Sequence, residues 1–199
     1  MRGLRVNRRI GVLALQGAFA AHAECLQSIG VDTVEVRTPD QLNEIDALLM
    51  PGGESSTMSH LLNSSGLFDP IAARIAEGMP TFGTCAGMIL LATEVLDGRA
   101  DQRSFSAIDI SVRRNAFGRQ VDSFESSILT SVGEFHGVFI RAPRIERVGK
   151  EVEVIGSLGD EPVLVRQGNV LAASFHPELS GDARLHDYFV STMSNLRKV

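Results

Sequence analysis

The sequence predicts an α/β fold: three layers, with a mostly parallel sheet, helices on both faces and an antiparallel extension. Three observations carry this. In the first half, short apolar runs alternate with stretches of helical periodicity, as in a parallel sheet covered on both sides. In the second half, strand-like runs follow one another with few helices between them, which suggests an antiparallel addition. Two of the early apolar runs end on glycine-bearing turns, Pro51-Gly52-Gly53 and Gly83-Thr84-Cys85-Ala86-Gly87, and each turn feeds a helical stretch.

The elements follow in order. Ile10-Gly11-Val12-Leu13-Ala14-Leu15 is apolar almost throughout and reads as a strand over 10–15, buried on both faces. Phe19, His22, Ala23 and Leu26 recur at helical spacing and place a helix over 18–29. Strands over 32–37 and 46–50 come next. The second runs into Pro51-Gly52-Gly53 and then Ser55, Ser56 and Thr57, hydroxyl residues suited to cap a helix over about 55–63. A helix over about 68–77, a strand over 80–84 and a helix over 86–93 complete the first half. Shorter strands lie near 108–112, 138–141, 152–156, 163–167 and 170–174, before a last helix near 182–195. With no repeat, low-complexity tract or linker, residues 1–199 read as one domain. The loop 98–104 reads as the most mobile segment, having no apolar anchor before Phe105.

Composition narrows the function. A chain of 199 residues can bury about 70% of its unfolded surface, enough for its own core. A formal net charge of −5 argues against nucleic acid as the main partner. Two cysteines, Cys25 and Cys85, make no disulfide framework, and a reactive thiol suits a reducing cytoplasm. Cys25 falls in the helical pattern of 18–29 and reads as a core or helix-face residue. Arg2, Arg5, Arg8 and Arg9 before an apolar run, with Ala21-His22-Ala23 beyond, outline a signal peptide. Gln16-Gly17 interrupts that run, and the strand reading of 10–15 is preferred. No stretch reaches the roughly 20 apolar residues that cross a bilayer, so no membrane partner is expected.

Three motifs carry chemistry. Gly83-Thr84-Cys85-Ala86-Gly87 sits between a short apolar run and a helical one, the strand–turn–helix setting of a nucleophile elbow with sulfur as nucleophile. Glycines at the flanks permit a turn too tight for Cβ atoms. At a helix N-terminus, unpaired N–H groups and the dipole favour a thiolate. Alone, the pentapeptide fits a buried structural cysteine equally well. His176-Pro177-Glu178 follows the strand-like run Gly168 to Ala173. A thiolate needs a histidine to give and take its proton, and that histidine needs a carboxylate to fix its tautomer. On extended backbone, the i, i+2 spacing of His176 and Glu178 points both to one side. A lone His-Pro-Glu reads as a plain loop; beside a glycine-flanked cysteine it reads as a relay. The third motif, Pro51-Gly52-Gly53-Glu54, is an ordinary strand–helix turn or an oxyanion loop, with the Gly53 and Ala86 N–H groups as donors.

Together these motifs resemble the class I, triad-type glutamine amidotransferase family. Leu13-Ala14-Leu15-Gln16-Gly17, Gly52-Gly53-Glu54-Ser55, Thr84-Cys85-Ala86-Gly87, the segment Arg114 to Glu125, Phe139-Ile140-Arg141-Ala142-Pro143 and Phe175 to Leu179 look like its branch of pyridoxal 5′-phosphate synthase glutaminase subunits. Arg114 to Glu125 is the most specific part, and Ala86 and Met88 after the cysteine fit that branch.

The resemblance implies a glutaminase that hydrolyses L-glutamine and delivers ammonia to a synthase subunit making pyridoxal 5′-phosphate. Cys85, His176 and Glu178 would be catalytic, and Gly53 and Ala86 would hold the oxyanion. Gly52, Gly53, Glu54, Arg114, Ile140 and Arg141 would line the glutamine pocket. Gln16 would carry the partner's signal to a subunit that is poorly active alone. Arg113, Arg114 and Arg119 also fit a solvated surface cluster. No cofactor is expected, and His22, His60, His136 and His186 lack metal-ligand spacing. The alternatives are a glutaminase serving another synthase and a non-catalytic redox or regulatory module on the same fold.

Overall fold

In the computed structural model, which describes residues 8–116 and 123–195, the apolar runs of the first half become parallel strands. These are β1 (Arg9–Leu13), β2 (Asp32–Val36), β3 (Ala47–Met50) and β4 (Thr81–Thr84), joined by the late strand β12 (Val170–Ala173). They lie side by side in the order β2-β1-β3-β4-β12, each pair parallel. The expected antiparallel extension continues the same sheet beyond β12 through β11 (Glu161–Gln167), β10 (Glu153–Leu158), β7 (Ser123–Thr130) and β8 (Gly133–Ile140).

Alternation along the central strands explains the layers. Ile10, Val12, Ala47, Leu49 and Phe82 face one side, where α1 (Phe19–Ser28) contributes Ala23 and Leu26 and α6 (Arg184–Asn195) contributes Leu185 and Phe189. Leu13, Leu48 and Met50 face the other, against Met58 and Leu62 of α3 (Ser55–Ser64), Ile71 of α4 (Phe68–Ala76) and Met88 of α5 (Ala86–Leu91). With apolar layers on both faces, the central strands have no solvent side, which is why they read as continuous apolar runs. Phe82 is fully buried between them, and its truncation to alanine costs about 3–5 kcal/mol.

Several elements differ from the sequence reading. The helix expected over 86–93 ends at Leu91, and β5 (Ala92–Val95) follows at once. β5 pairs with β6 (Ile108–Arg113), and β6 with β9 (Arg144–Val148), in a separate three-stranded sheet. The Thr93 hydroxyl donates to Ile108 O at 2.9 Å, a cross-strand contact invisible to helical periodicity. β8 starts at Gly133, well before the expected 138, while β7 and β9 were not foreseen as strands. α2 (Pro39–Asn43) was also missed: five residues are too few for a periodic signal, though Thr38 and Gln41 form a capping box. The loop 98–104 is anchored by polar groups instead of apolar ones. Arg103 lies 3.7 Å over the Phe68 ring and donates to Asn63 and Asp69. Among the described residues, no helix is long and apolar enough to cross a membrane.

Candidate active site

The site begins where β4 stops. Cys85 occupies the turn between β4 and α5 with φ 50° and ψ −105°, a backbone state that stores about 1–3 kcal/mol in a non-glycine residue. Its neighbours explain how the turn is tolerated. A Cβ on Gly87 would stand 2.3 Å from Met50 O, and one on Gly83 would stand 2.6 Å from the Gly87 backbone. Both flanks therefore require glycine, as the pentapeptide implied. The Cys85 N–H donates to Ala173 O at 2.8 Å, which ties the elbow to the end of β12.

β12 in turn delivers the histidine. Three residues beyond its end, the His176 N–H donates to Val138 O on β8 at 2.8 Å. The backbone then enters a 3-10 turn, Pro177–Leu179, so the extended geometry expected for His176-Pro177-Glu178 is not the one observed. Pro177 sets the turn, and the two side chains still meet: His176 Nδ1–H donates to Glu178 Oε1 at 2.8 Å. Cys85 lines the same cleft as His176, and its Sγ lies 3.9 Å from Ile140 O. Burial opposes a charge on the imidazole, but Cys85 and Glu178 outweigh it and raise the His176 pKa to about 10. A Cβ on Gly52 would sit 2.4 Å from His176 Cε1 and 3.3 Å from Cys85 Cβ, so the Gly52 backbone packs directly on both.

The loop after β3 builds the rim. The expected hydroxyl cap of α3 is replaced by Glu54, whose carboxylate accepts from Ser56 N at 3.1 Å and Thr57 N at 2.7 Å. Burial works against this charge, yet the bonds from Thr57 and Ser56 dominate and hold the Glu54 pKa at about 2. Gln16 Oε1 accepts from Glu54 N at 3.2 Å and would lie 3.2 Å from a Cβ on Gly53. Arg114 Nη1 donates to Ser56 Oγ at 2.9 Å and lies 3.8 Å from Glu54 Oε1, while its buried Nε has no hydrogen-bond partner. A cleft of about 600 Å³, counted out to its mouth, is lined by Gly53, Glu54, Cys85, Arg114, Ile140, Arg141 and His176 among others. Arg141 reaches it from a strained position, φ 43°. Ala86, the first residue of α5, has an N–H in the turn that finds no intrahelical acceptor.

Of the sequence-based residues, then, the cleft gathers Gly53, Glu54, Cys85, Arg114, Ile140, Arg141 and His176, with Gly52, Ala86, Gln16 and Glu178 immediately behind them. Arg119 and the rest of 117–122 lie outside the described residues. The sequence reading missed Ser56 and Asp97, which hold Arg114 through its side chain and its N–H. It also missed Asn115, on the cleft wall at φ 46°. Among the described residues, no group of three or more His, Cys, Asp or Glu side chains could hold a metal.

This geometry has known counterparts. A family model described as the SNO glutamine amidotransferase family matches residues 12–195. The chain belongs to that family. Among curated relatives, "Pyridoxal 5'-phosphate synthase subunit PdxT" of Salinispora arenicola is 56% identical over 188 residues, covering 90% of this chain and 94% of the relative. The protein of the same name from Mycolicibacterium vanbaalenii is 53% identical, covering 94% and 98%. A solved structure titled "Crystal structure of glutamine amidotransferase" superposes with a TM-score of 0.89 at 50% identity, covering 93% of this chain and 98% of that one. The α/β fold is thus that of a glutamine amidotransferase, and the chain is a glutamine-hydrolysing enzyme of that family.

Proposed function

We propose that this amidotransferase is the glutaminase subunit of a pyridoxal 5′-phosphate synthase, hydrolysing L-glutamine and passing ammonia to a synthase subunit. The names of its relatives support the pathway. The observation that carries the chemistry is His176, bonded at 2.8 Å to Glu178 and sharing with Cys85 both the cleft and the packing against Gly52. The whole chain acts as one domain, in the reducing cytoplasm where Cys85 stays reduced.

In the form that reacts, Cys85 is the thiolate and His176 carries the proton. Cys85 Sγ attacks the side-chain amide carbon of glutamine, and the carbonyl electrons move onto oxygen. The N–H groups of Gly53 and Ala86 receive that oxyanion, each donor lowering the barrier by about 2.7–4 kcal/mol. His176 gives its proton to the amide nitrogen, the C–N bond breaks, and ammonia leaves a glutamyl thioester on Cys85. Water then attacks the thioester while His176 takes its proton. The C–S bond breaks, releasing glutamate and restoring the thiolate and the protonated ring. Glu178 holds the ring in the tautomer that faces Cys85. The substrate's charged ends are gripped by Arg114, whose guanidinium matches a carboxylate, and by Glu54, whose charge matches an ammonium. Gly52, Ile140 and Arg141 close the pocket around them.

Unprompted hydrolysis would waste glutamine, so docking should complete the site. Gln16 already touches Gly53 and Glu54 from the end of β1, so a partner that moves Gln16 moves the oxyanion loop. Ammonia release by the purified chain, with and without a synthase subunit, tests this. The expected result is low activity alone, a large rise with the partner, and loss of the rise in Gln16→Ala. Full activity of the isolated chain would refute the gating and leave the triad standing.

A further inference from the structure

Glu178 has a second oxygen, and the mechanism so far gives it no role. Oε2 is buried on the core side of the carboxylate, with no in-line hydrogen bond. The nearest nitrogen is His22 Nε2 of α1 at 3.2 Å, on a side chain that is itself fully buried. The same nitrogen lies 3.1 Å from Thr84 Oγ1, one residue before the nucleophile. On its far edge, His22 Nδ1 lies 2.9 Å from His186 Nε2 of α6. His186 is buried too, edge-on to Phe82, and its Nδ1 has no partner.

Proton counting fixes the tautomers. A lone pair on His22 Nε2 would face a carboxylate oxygen at 3.2 Å, so Nε2 carries the proton. His22 Nδ1 is then an acceptor, and His186 Nε2–H must donate to it. That leaves the orphan His186 Nδ1 as a bare lone pair, less costly to bury than an unpaired N–H. The opposite assignment would repel Glu178 and strand an N–H in the core. We propose that His22, oriented by His186, is a positioning residue for Glu178: its Nε2–H, bonded to Thr84 Oγ1, presents its positive end 3.2 Å from Glu178 Oε2 and so keeps Oε1 turned toward His176. The proposal rests on the glutaminase reading and deepens it.

Both core histidines are held neutral. Burial, then the neighbouring His186 and His176, hold His22 well below its ordinary pKa, and burial alone lowers His186 to about 4. The groups facing the Glu178 carboxylate are His176 from the end of β12 and His22 from α1, with Cys25 of α1 beside the Glu178 backbone carbonyl; those facing His22 are Glu178, Thr84, His176 and His186. None is a lysine or arginine, and His176 engages Oε1, which leaves Oε2 to His22 among these contacts.

The test is His22→Phe, which keeps a ring but removes the donor, with His22→Gln as the conservative variant that restores an N–H. Glutamine hydrolysis is followed from pH 6 to 11 in the chain assembled with its synthase subunit, with thermal unfolding of each variant alongside. Without its second tether, Glu178 supports the protonated His176 less. For His22→Phe the expected result is a fall of about tenfold in kcat with KM little changed. The alkaline limb of kcat/KM should move to lower pH by about one unit, and His22→Gln should recover most of both effects. A wild-type kcat with an unmoved limb in His22→Phe overturns the proposal. So does a His22→Gln that folds yet is as impaired as the phenylalanine variant. If His22→Phe does not fold, His186→Leu carries the test one residue back: the limb should move the same way by less, and an unmoved limb overturns the proposal. A wild-type chain that hydrolyses no glutamine in the assembly fails the glutaminase reading instead, independently of every variant.

Discussion

Glu178 divides two regions built from the same residue types, and they behave in opposite ways. On the cleft side stand Cys85 and His176; on the helix side stand Cys25, His22 and His186. His176 is buried, yet its neighbours Cys85 and Glu178 outweigh burial and raise its pKa to about 10. His22 and His186 are buried with one another, and theirs fall. The sulfurs divide likewise. Cys85 is forced into a positive-φ turn against a histidine, whereas Cys25 sits in an ordinary helix, 3.9 Å from Glu178 O. Burial, with the charges of Glu178 and Glu24, pushes the Cys25 thiol up and away from reactivity. Burial therefore does not decide function here; the charge of the partner does.

Removing the charged partner on the cleft side should have the largest effect. Cys85→Ala should lower glutamine hydrolysis by about 10⁴-fold or more, since triad members act as a unit, while thermal unfolding stays near wild type. His176→Asn should match it. Glu178→Gln should fall short of both, at about 10²–10⁴-fold, because in the proposed mechanism Glu178 orients and stabilises His176 without touching substrate. Equal losses in all three would make Glu178 a reacting group and blur the division between orienting and reacting roles. Asp182 offers no substitute carboxylate, being engaged by Arg184 at 2.8 Å.

The pH response sharpens the same contrast in stability. His186 has a folded pKa near 4 against an ordinary 6.5, so the unfolded chain binds more protons between those values. Its contribution is complete above pH 6.5 and is lost as pH falls toward 4, about 3 kcal/mol in all, with His22 acting in the same direction. His176 runs the other way. Its raised pKa stabilises the fold below pH 6.5 and that contribution fades as pH climbs through about 10. Denaturant midpoints from pH 4 to 11 should therefore fall at both ends, and His186→Leu, if folded, should flatten chiefly the acid side. The smallest effect belongs to Cys25→Ala, which should leave glutamine hydrolysis within about twofold of wild type.

The two regions were unequally legible in the sequence. The cleft side was readable because its chemistry imposes local steric rules: glycines two residues either side of Cys85, and a proline between His176 and Glu178. Those rules act within five residues, so a single window contains them. The helix side was not readable. His22 fits the apolar stripe of α1 and His186 lies 164 residues away, so each alone looks like a core residue. Only the fold makes them neighbours. The same limit explains the strands. β3 and β4 are buried on both faces and announce themselves as apolar runs, whereas β7 is largely exposed along Ser123–Thr130 and reads as polar chain. β5 was hidden differently: the apolar run Ile89 to Ala92 suits a helix or a strand, and pairing with β6 decides where the helix ends.

The most direct measurement of the central claim is covalent labelling by an electrophilic glutamine analogue, a chloroketone, in the chain assembled with its synthase subunit. Peptide mass mapping should find one equivalent on Cys85 and none on Cys25, with labelling suppressed by excess L-glutamine and abolished in His176→Asn. Labelling of Cys25 as fast as Cys85, or labelling that glutamine does not slow, would contradict the account.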